Sequence, residues 1–181
     1  MAINYLETYK MAFAKPQYNG HSVSYENAKK YINGLSPNSV LNVGSGRGNL
    51  ESLLQKENFS LSSCDLDNFL VEGINTNFFK IDLSNSEDLQ KLPQCEVLTC
   101  LDVLEHIEEI YIDSVLKIFS EVSDNCYFTI ANHSDIMDGV ELHLIQKPCE
   151  FWTPVLEKYF KVDLVEHYYS NRLMSYSLTS K

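Results

Sequence analysis

The sequence predicts an α/β protein with a mostly parallel sheet, helices on both faces and an antiparallel hairpin at the C-terminal end. Short apolar runs alternate with stretches of helical spacing over most of the 181 residues. This alternation is typical of parallel sheets that are buried on both faces. The last two apolar runs are separated only by residues 170–172, which is too short for a crossover, so these two strands must be antiparallel.

The composition fits one domain over residues 1–181. Hydrophobic residues make up 44% of the chain, and a chain of this length can bury a single core. No apolar run approaches the roughly 18 residues of a membrane helix. The N-terminus lacks the basic start and apolar block of a signal peptide. We therefore expect a cytoplasmic protein without a membrane span.

The net charge limits the kinds of partner that the chain can bind, and the cysteine content indicates the redox compartment. The formal net charge of −11 argues against a broad surface for nucleic-acid phosphates and against a membrane-surface role. The five cysteines form no C-x-x-C pair, so we expect buried free thiols in a reducing compartment. A small molecule is the expected partner, whereas the oligomeric state leaves no signal in the sequence.

Residues 1–22 carry several aromatic side chains without a regular period. Two interpretations stay open for this segment. It is either a helix that packs loosely on the domain or a lid over a ligand site. In the second interpretation Tyr18 and His21 face the pocket.

The elements of the first half follow from hydrophobic periodicity. A helix over 25–35 has one apolar face, and Gly34 and Pro37 end it. Ser84 and Glu87 form a predicted capping box for a brief helix that ends near Lys91. The other predicted elements are strand one over 40–43, a helix from the glycine-rich turn to about 58, strand two over 61–65 and strand three over 78–82.

The second half continues the alternation. The clearest helix runs over 107–122 and repeats its apolar residues at three and four; Asp102 and Glu105 fit a capping box at its start. Thr153 and Pro154 fit the N-cap and first position of the last helix. The remaining predicted elements are strand four over 97–101, strand five over 126–131, a loop over 132–150 and strands over 161–169 and 173–179.

A glycine-rich turn follows strand one, with glycine at positions 44, 46 and 48. Glycine allows a positive φ, and the missing Cβ lets a ligand approach the backbone. The N–H groups at the start of the next helix suit an anionic or polar ligand. The glycine spacing differs from the dinucleotide fingerprint, and the Lys-Ser/Thr of a P-loop is absent.

Carboxylates stand at the ends of the next strands. Asp65 lies 21 residues after Gly44, a spacing that places a carboxylate where it can accept the ribose hydroxyls of a nucleoside. Asp82 ends strand three, and strand four leads into the hexapeptide 102–107. Because ligands of open α/β sheets bind at the carboxyl ends of the strands, we expect these residues on one rim.

The G-x-G-x-G turn, the two strand-end carboxylates and the hexapeptide together resemble class I S-adenosylmethionine-dependent methyltransferases, in particular small type 11 and type 12-like members. The resemblance covers roughly residues 23–181. It implies a Rossmann-like seven-stranded sheet and an enzyme that moves a methyl group from S-adenosylmethionine to oxygen or nitrogen of a small polar acceptor. The cofactor-binding residues that it implies are Gly44, Ser45, Gly46, Asp65, Leu66, Asp82, Leu83, Leu101 and Asp102.

The resemblance also assigns roles within that set. Gly44 and Gly46 bound the methionine portion, Asp65 holds the ribose, and Asp82 with Leu83 meets the adenine amino group. Leu66 packs on the adenine ring. Position 42 departs from the family, since it is Asn where an acidic residue is usual, and weaker cofactor binding is expected.

Histidines are the expected catalytic residues, with no metal. Methyl transfer from a sulfonium depends mainly on in-line placement, and a hydroxyl acceptor is helped by a base with a pKa near neutrality, for which histidine is typical. His106 and His143 are favoured over His133. In a competing interpretation, His143 only holds its loop shut.

Two other functions stay open. Asp102-x-x-Glu105-His106 with the later His143 is similar to the Glu-x-x-Glu-His and distant His of RNA 2′-O-methyltransferases, in which four side chains bind a divalent metal. The second is a non-catalytic cofactor-binding module that regulates a partner, which the Asn at position 42 makes more plausible.

Overall fold

The computed structural model describes residues 5–15 and 22–181; Tyr18 and His21 lie outside these ranges. The helices are α1 Tyr5–Phe13, α2 Val23–Leu35, α3 Asn49–Leu54, α4 Ser86–Leu89, α5 Glu109–Val122 and α6 Cys149–Leu156, with a 3₁₀ turn over Leu104–His106. The strands are β1 Ser39–Val43, β2 Ser60–Asp65, β3 Asn77–Lys80, β4 Cys95–Leu101, β5 Ser123–Ala131, β6 Ile136–Met137, β7 Val140–Glu141, β8 Phe160–Tyr168 and β9 Leu173–Ser180. None of the helices in the described ranges is long and apolar enough to cross a membrane.

Seven strands form one sheet in the order β3-β2-β1-β4-β5-β9-β8. The pairs among β1 to β5 are parallel, whereas β9 is antiparallel to both β5 and β8. β6 and β7 form a separate two-stranded hairpin. The predicted fold class is confirmed. The strand order reverses direction at β1 and β4, so the carboxyl ends of these strands border a crevice that can hold a ligand.

Helices cover both faces of the sheet. On one face, α5 and α6 pack against the sheet around the fully buried Phe128, Trp152 and Tyr176. On the other face, α2 and α3 contribute Ile32 and Leu54 to a smaller core. The predicted apolar face of the clearest helix is confirmed in part, since Val115, Ile118 and Val122 are buried in α5. Ile110, which the repeat places on the same face, is exposed.

A buried polar group lies on the α2–α3 face and includes Asn42. The Asn42 amide donates to Glu51 Oε1 over 2.8 Å and accepts from Thr99 Oγ1 over 2.9 Å. Ser63 Oγ also donates to Glu51 Oε1, over 2.6 Å, and burial raises the pKa of the Glu51 carboxyl. Position 42 in β1 therefore carries no acid of its own. The carboxylate beside it belongs to Glu51 of α3, and Asn42 binds that carboxylate in the core.

The predicted starts of α4 and α6 are wrong. Asn85 caps α4, since its side-chain oxygen accepts from the backbone N–H groups of Glu87 and Asp88. The amide oxygen of Asn is a preferred capping group. Helix α6 already begins at Cys149 after Pro148, so Pro154 lies inside it.

The predicted capping box of Asp102 and Glu105 is also wrong. Asp102 has a φ of 56°, and its carboxylate accepts from the hydroxyls of Thr129 over 2.8 Å and Ser24 over 3.3 Å. Glu105 Oε1 accepts from the backbone N–H of Ala131. Both acids therefore bind neighbouring elements rather than a helix end.

Helix α1 packs on the β6–β7 hairpin through a third small apolar cluster. Ala12 is buried against Met137 and Leu142, and Tyr5 and Tyr9 pack beside them. The described aromatics at positions 5, 9 and 13 share a spacing of four, which puts them on one helical face. The expectation of no regular period in this segment is therefore corrected.

Candidate active site

A cleft of about 1170 Å³ opens at the carboxyl ends of β1, β2, β4 and β5, with α1 above it. All eleven residues named from the sequence for cofactor binding or catalysis line this cleft. Pockets for drug-sized ligands usually measure about 300–1,000 Å³. The cleft is therefore large enough for a cofactor together with a second molecule.

The glycine turn is fixed between two strands. The N–H groups of Gly44 and Ser45 both donate to the Cys64 carbonyl, over 2.8 and 3.1 Å. Gly44 has a φ of +74°, and a Cβ on it would lie 2.2 Å from Val103 Cγ2. At Gly46 a Cβ would lie in ordinary contact, 3.4 Å from the Phe13 ring. The first glycine is thus required by its protein neighbour as well as by its φ.

Asp65 joins the glycine turn to the tip of β2. Its Oδ2 accepts from Gly46 N over 2.8 Å, and its Oδ1 accepts from Leu66 N over 2.7 Å. Burial raises the pKa of this carboxyl to about 6, although the two backbone donors favour the charged form. Each oxygen retains a lone pair, so the carboxylate can still accept hydroxyl donors from the cleft.

Ser45 supplies an observation that favours a bound ligand. Its side chain is 6% exposed, and Ser45 Oγ has no hydrogen-bond partner among the described residues. Buried polar atoms usually have a partner. Because Ser45 lines the cleft, a polar ligand there can supply one, so the turn fits the amino-acid end of S-adenosylmethionine.

Asp82 lies beyond the end of β3, in the turn that leads to α4. Its Oδ1 accepts from both the backbone N–H and the hydroxyl of Ser84, and its own N–H donates to Asp88 Oδ2. The turn is therefore held from both sides. It presents Asp82 and Leu83 to the same cleft as Asp65.

Three histidines meet at the opposite wall. The ring centroids of His106 and His143 are 4.5 Å apart, and those of His133 and His143 are 4.9 Å apart. His143 Nδ1 lies 2.6 Å from the His133 carbonyl oxygen. Since a carbonyl only accepts, Nδ1 carries the proton and Nε2 has the lone pair.

His106 has a different environment. Its Nδ1 lies 2.8 Å from the Tyr9 hydroxyl of α1, and it also hydrogen-bonds with the Leu142 backbone. Burial lowers the pKa of His106 to about 3. The ring is therefore neutral at physiological pH and its nitrogens are already engaged.

One group of side chains in the described ranges could hold a metal ion, namely Glu105, His106 and His143. Each residue offers one candidate ligand atom, and the three atoms lie within 4.8 Å of one another. Glu105 Oε2 is buried without a partner among the described residues. Burial raises the pKa of Glu105 well above its ordinary value. Asp102, the fourth residue of the metal-binding alternative, is not part of this group.

Several lining residues were not named from the sequence. The spacing of Tyr9 and Phe13 in α1 could have predicted that they line the cleft, and so could the place of Arg47 in the glycine turn. The Arg47 guanidinium donates to the Phe13 carbonyl over 2.5 Å. Tyr169 and Arg172 reach the cleft from the turn between β8 and β9. Sequence gives no signal for them, because only the sheet order brings that turn to the cleft.

The solved structures that resemble the chain share its architecture. A S-adenosylmethionine-dependent methyltransferase from Clostridium acetobutylicum aligns over 98% of this chain and 99% of its own, with a TM-score of 0.70 and 13% identity. A TehB-like S-adenosylmethionine-dependent methyltransferase from Corynebacterium glutamicum aligns over 97% of both chains, with a TM-score of 0.69 and 14% identity. The chain has the fold of class I methyltransferases.

Other comparisons add detail to the methyltransferase fold. A magnesium protoporphyrin IX methyltransferase from Synechocystis, solved with bound S-adenosylmethionine, covers 100% of this chain and 86% of its own at 14% identity and a TM-score of 0.66. No family model matches the chain. The ubiquinone biosynthesis O-methyltransferase of Rickettsia bellii is 30% identical over 94 residues, or 47% of this chain. The match spans 38% of that curated relative.

Proposed function

We propose that the protein is a S-adenosylmethionine-dependent methyltransferase that acts on an oxygen or nitrogen of a small polar acceptor. One observation carries the proposal: a single cleft joins the glycine turn and Asp65 to His143, whose Nδ1 faces the His133 carbonyl so that Nε2 carries the lone pair. The methyltransferase fold and the partial match to an O-methyltransferase support it. The partial match to an O-methyltransferase also favours a hydroxyl acceptor.

The cofactor assignments follow the positions on the cleft wall. Gly44, Ser45 and Gly46 would hold the methionine portion, where Ser45 Oγ offers an unpaired polar atom. Asp65 would accept the ribose hydroxyls, and Asp82 would meet the adenine amino group. When bound, the sulfonium supplies an activated methyl group.

His143 is the better candidate for the base. His143 Nε2 would take the proton of the acceptor hydroxyl. His106 would instead form part of the acceptor wall, because its low pKa makes it a weak base and Tyr9 occupies its Nδ1. The same contact supports a lid role for α1, which would exclude water from the reacting groups.

Two measurements test this function. Titration calorimetry with S-adenosylhomocysteine should give a binding heat, and a panel of acceptors from a cell extract should yield S-adenosylhomocysteine from the donor. His143→Gln should lower kcat by about 10²–10⁴-fold, which is the usual contribution of a general base, and should leave the dissociation constant of S-adenosylhomocysteine unchanged. Absence of binding to folded protein would overturn the proposal; binding without turnover across the panel would favour a regulatory module.

A second candidate is a metal-dependent methyltransferase that acts on ribose hydroxyls of RNA. The group of Glu105, His106 and His143 supports it. The His133 carbonyl supports it too, because its contact with His143 Nδ1 orients the ring and leaves Nε2 for an ion. The Tyr9 contact to His106 and the separate position of Asp102 weigh against it. Turnover that a chelator abolishes and that Mn²⁺ restores would favour this candidate. Full turnover in chelator would exclude it.

A further inference from the structure

The segment between β5 and α6 carries His133 and His143, and it is fastened at both ends by Glu105. At its start, the backbone N–H of Ala131 donates to Glu105 Oε1 over 2.6 Å. At its end, the N–H groups of Leu144 and Ile145 donate to the Glu105 carbonyl over 2.7 and 3.0 Å. These bonds fix the ends of the loop, but they leave its middle to be held by other groups.

The β6–β7 pairing and the bond from Leu142 N to the Asp135 carbonyl join the two limbs of the loop, and the Glu141 side chain adds a second connection next to His143. Its Oε2 accepts from Ser134 Oγ over 2.5 Å, and its Oε1 accepts from Asp135 N over 2.9 Å and from His143 N over 3.0 Å. The first two donors belong to the outgoing limb of the loop, and the third belongs to the returning limb. One carboxylate therefore ties both limbs together.

The hydrogen-bond donors around Glu141 stabilise the ionised form of its carboxyl. The hydroxyl of Ser134, which has the largest effect, lowers the pKa of the carboxyl to about 2 together with the N–H groups of Asp135 and His143 and the Gln146 side chain, while burial opposes them. Hydrogen bonds to an ionised acceptor are about twice as strong as neutral ones. The donors therefore favour the ionised carboxylate that accepts them.

The tie matters because of what the two limbs carry. The outgoing limb carries the His133 carbonyl and the returning limb carries the His143 ring, and the two meet over 2.6 Å. That contact places the proton on Nδ1 and leaves Nε2 as the acceptor. If the limbs separate, His143 loses the partner that selects its tautomer.

We propose that Glu141 is a positioning residue that sets the tautomer and placement of His143 by tying the two limbs of the loop together. Its effect on turnover rests on the proposed function, in which His143 Nε2 takes the acceptor proton. Its effect on the tautomer is a property of the folded protein alone. These two consequences can be measured separately.

The first experiment reads the tautomer. Protein labelled with ¹⁵N in histidine is examined by NMR at pH 8 as wild type, Glu141→Ala and Glu141→Gln, with Glu121→Gln on the outer face of α5 as a control for loss of a carboxylate. We expect His143 to be a single Nδ1–H tautomer in the wild type and control, and a mixture with Nε2–H in Glu141→Ala. Glu141→Gln should be intermediate, because it keeps one oxygen for the backbone donors. An unchanged single tautomer in both folded Glu141 variants would overturn the proposal.

The second experiment reads turnover. Glu141→Ala should lower kcat by about 10²-fold, the cost of a misplacement of about 1 Å, with no change in the KM for S-adenosylmethionine. Glu141→Gln should recover part of the rate. Equal kcat in wild type and both variants would overturn the catalytic role of the tie. If the wild type shows no turnover with any acceptor, the proposed function fails, but the NMR result still decides the positioning role. If Glu141→Ala does not fold, Glu141→Gln and Ser134→Ala give the same test.

Discussion

Replacing Asp65 by Asn tests the cofactor end of the cleft and the electrostatics of the turn together. The substitution keeps the shape of the side chain but removes the charge. An Asn can accept from only one side with its oxygen, so either Gly46 N or Leu66 N loses its acceptor. Loss of one buried acceptor costs about 1–3 kcal/mol.

The pH dependence of that cost follows from the raised pKa. The Asp65 pKa lies at about 6 in the folded protein against 3.8 for the free group, so the folded state binds the proton more tightly than the unfolded state. The contribution of Asp65 to the free energy of unfolding is therefore fully present below pH 3.8, and it is lost as the pH rises through about 6. At about 1.36 kcal/mol per pKa unit the full loss is about 3 kcal/mol, of which about 1 kcal/mol falls between pH 5 and pH 8.

Asp65→Asn has no proton to lose and escapes this loss. Urea denaturation at pH 5 and pH 8 should therefore show that the stability of the variant relative to wild type improves by about 1 kcal/mol at the higher pH. Calorimetry at pH 8 should show weaker binding of S-adenosylhomocysteine by about 1.5–3 kcal/mol, the worth of a hydrogen bond to a charged acceptor. Binding by the wild type should weaken below pH 6, whereas binding by the variant should not depend on pH in this range.

Asp124→Asn is the matched control, since Asp124 is exposed at the start of β5, at the other end of the sheet. It should leave the dissociation constant of S-adenosylhomocysteine unchanged. A stability difference between Asp65→Asn and wild type that is the same at both pH values would refute the raised pKa. An unchanged dissociation constant would refute the ribose assignment.

Other substitutions test the packing around the cleft. Gly44→Ala should destabilise the fold by about 2–6 kcal/mol, because positive φ and overpacking each cost about 1–3 kcal/mol and the new Cβ collides with Val103. Gly34→Ala in α2, where a Cβ has open space, should instead stabilise the fold by about 0.5–1 kcal/mol; thermal denaturation of both variants measures the two effects. Tyr9→Phe keeps the ring but removes the hydrogen bond to His106, so the urea midpoint should fall by the equivalent of about 0.5–1.5 kcal/mol; no change would mean that the phenol does not bind the imidazole.

The strands and the longer helices could be predicted because their signals are local. An apolar run bounded by polar turns gave β1, β4 and β5 to within a few residues, and the three-and-four repeat gave α5. Burial on both faces of the sheet enforces such patterns over the whole length of an element. The antiparallel pair at the end followed from the shortness of one connection.

Helix starts were harder, because several residues near each start can serve as the cap. Asp102 and Glu105 fit a capping pattern in sequence, but in the folded protein Thr129 and Ala131 offer donors from β5. The choice between a local and a tertiary partner depends on distances that the sequence does not contain. Asn42 is a similar case, since its partner Glu51 is supplied by α3.

The sequence by itself determined the fold class and the set of residues at the carboxyl ends of the strands, because alternation and spacing fix which ends must share a rim. The tertiary structure alone decided how those residues are used. It paired Tyr9 with His106, gave His143 a carbonyl that selects its tautomer, and placed Glu141 between the limbs of the loop. These are contacts between segments far apart or folded back on one another, and their geometry exists only once the sheet, α1 and the loop have packed together.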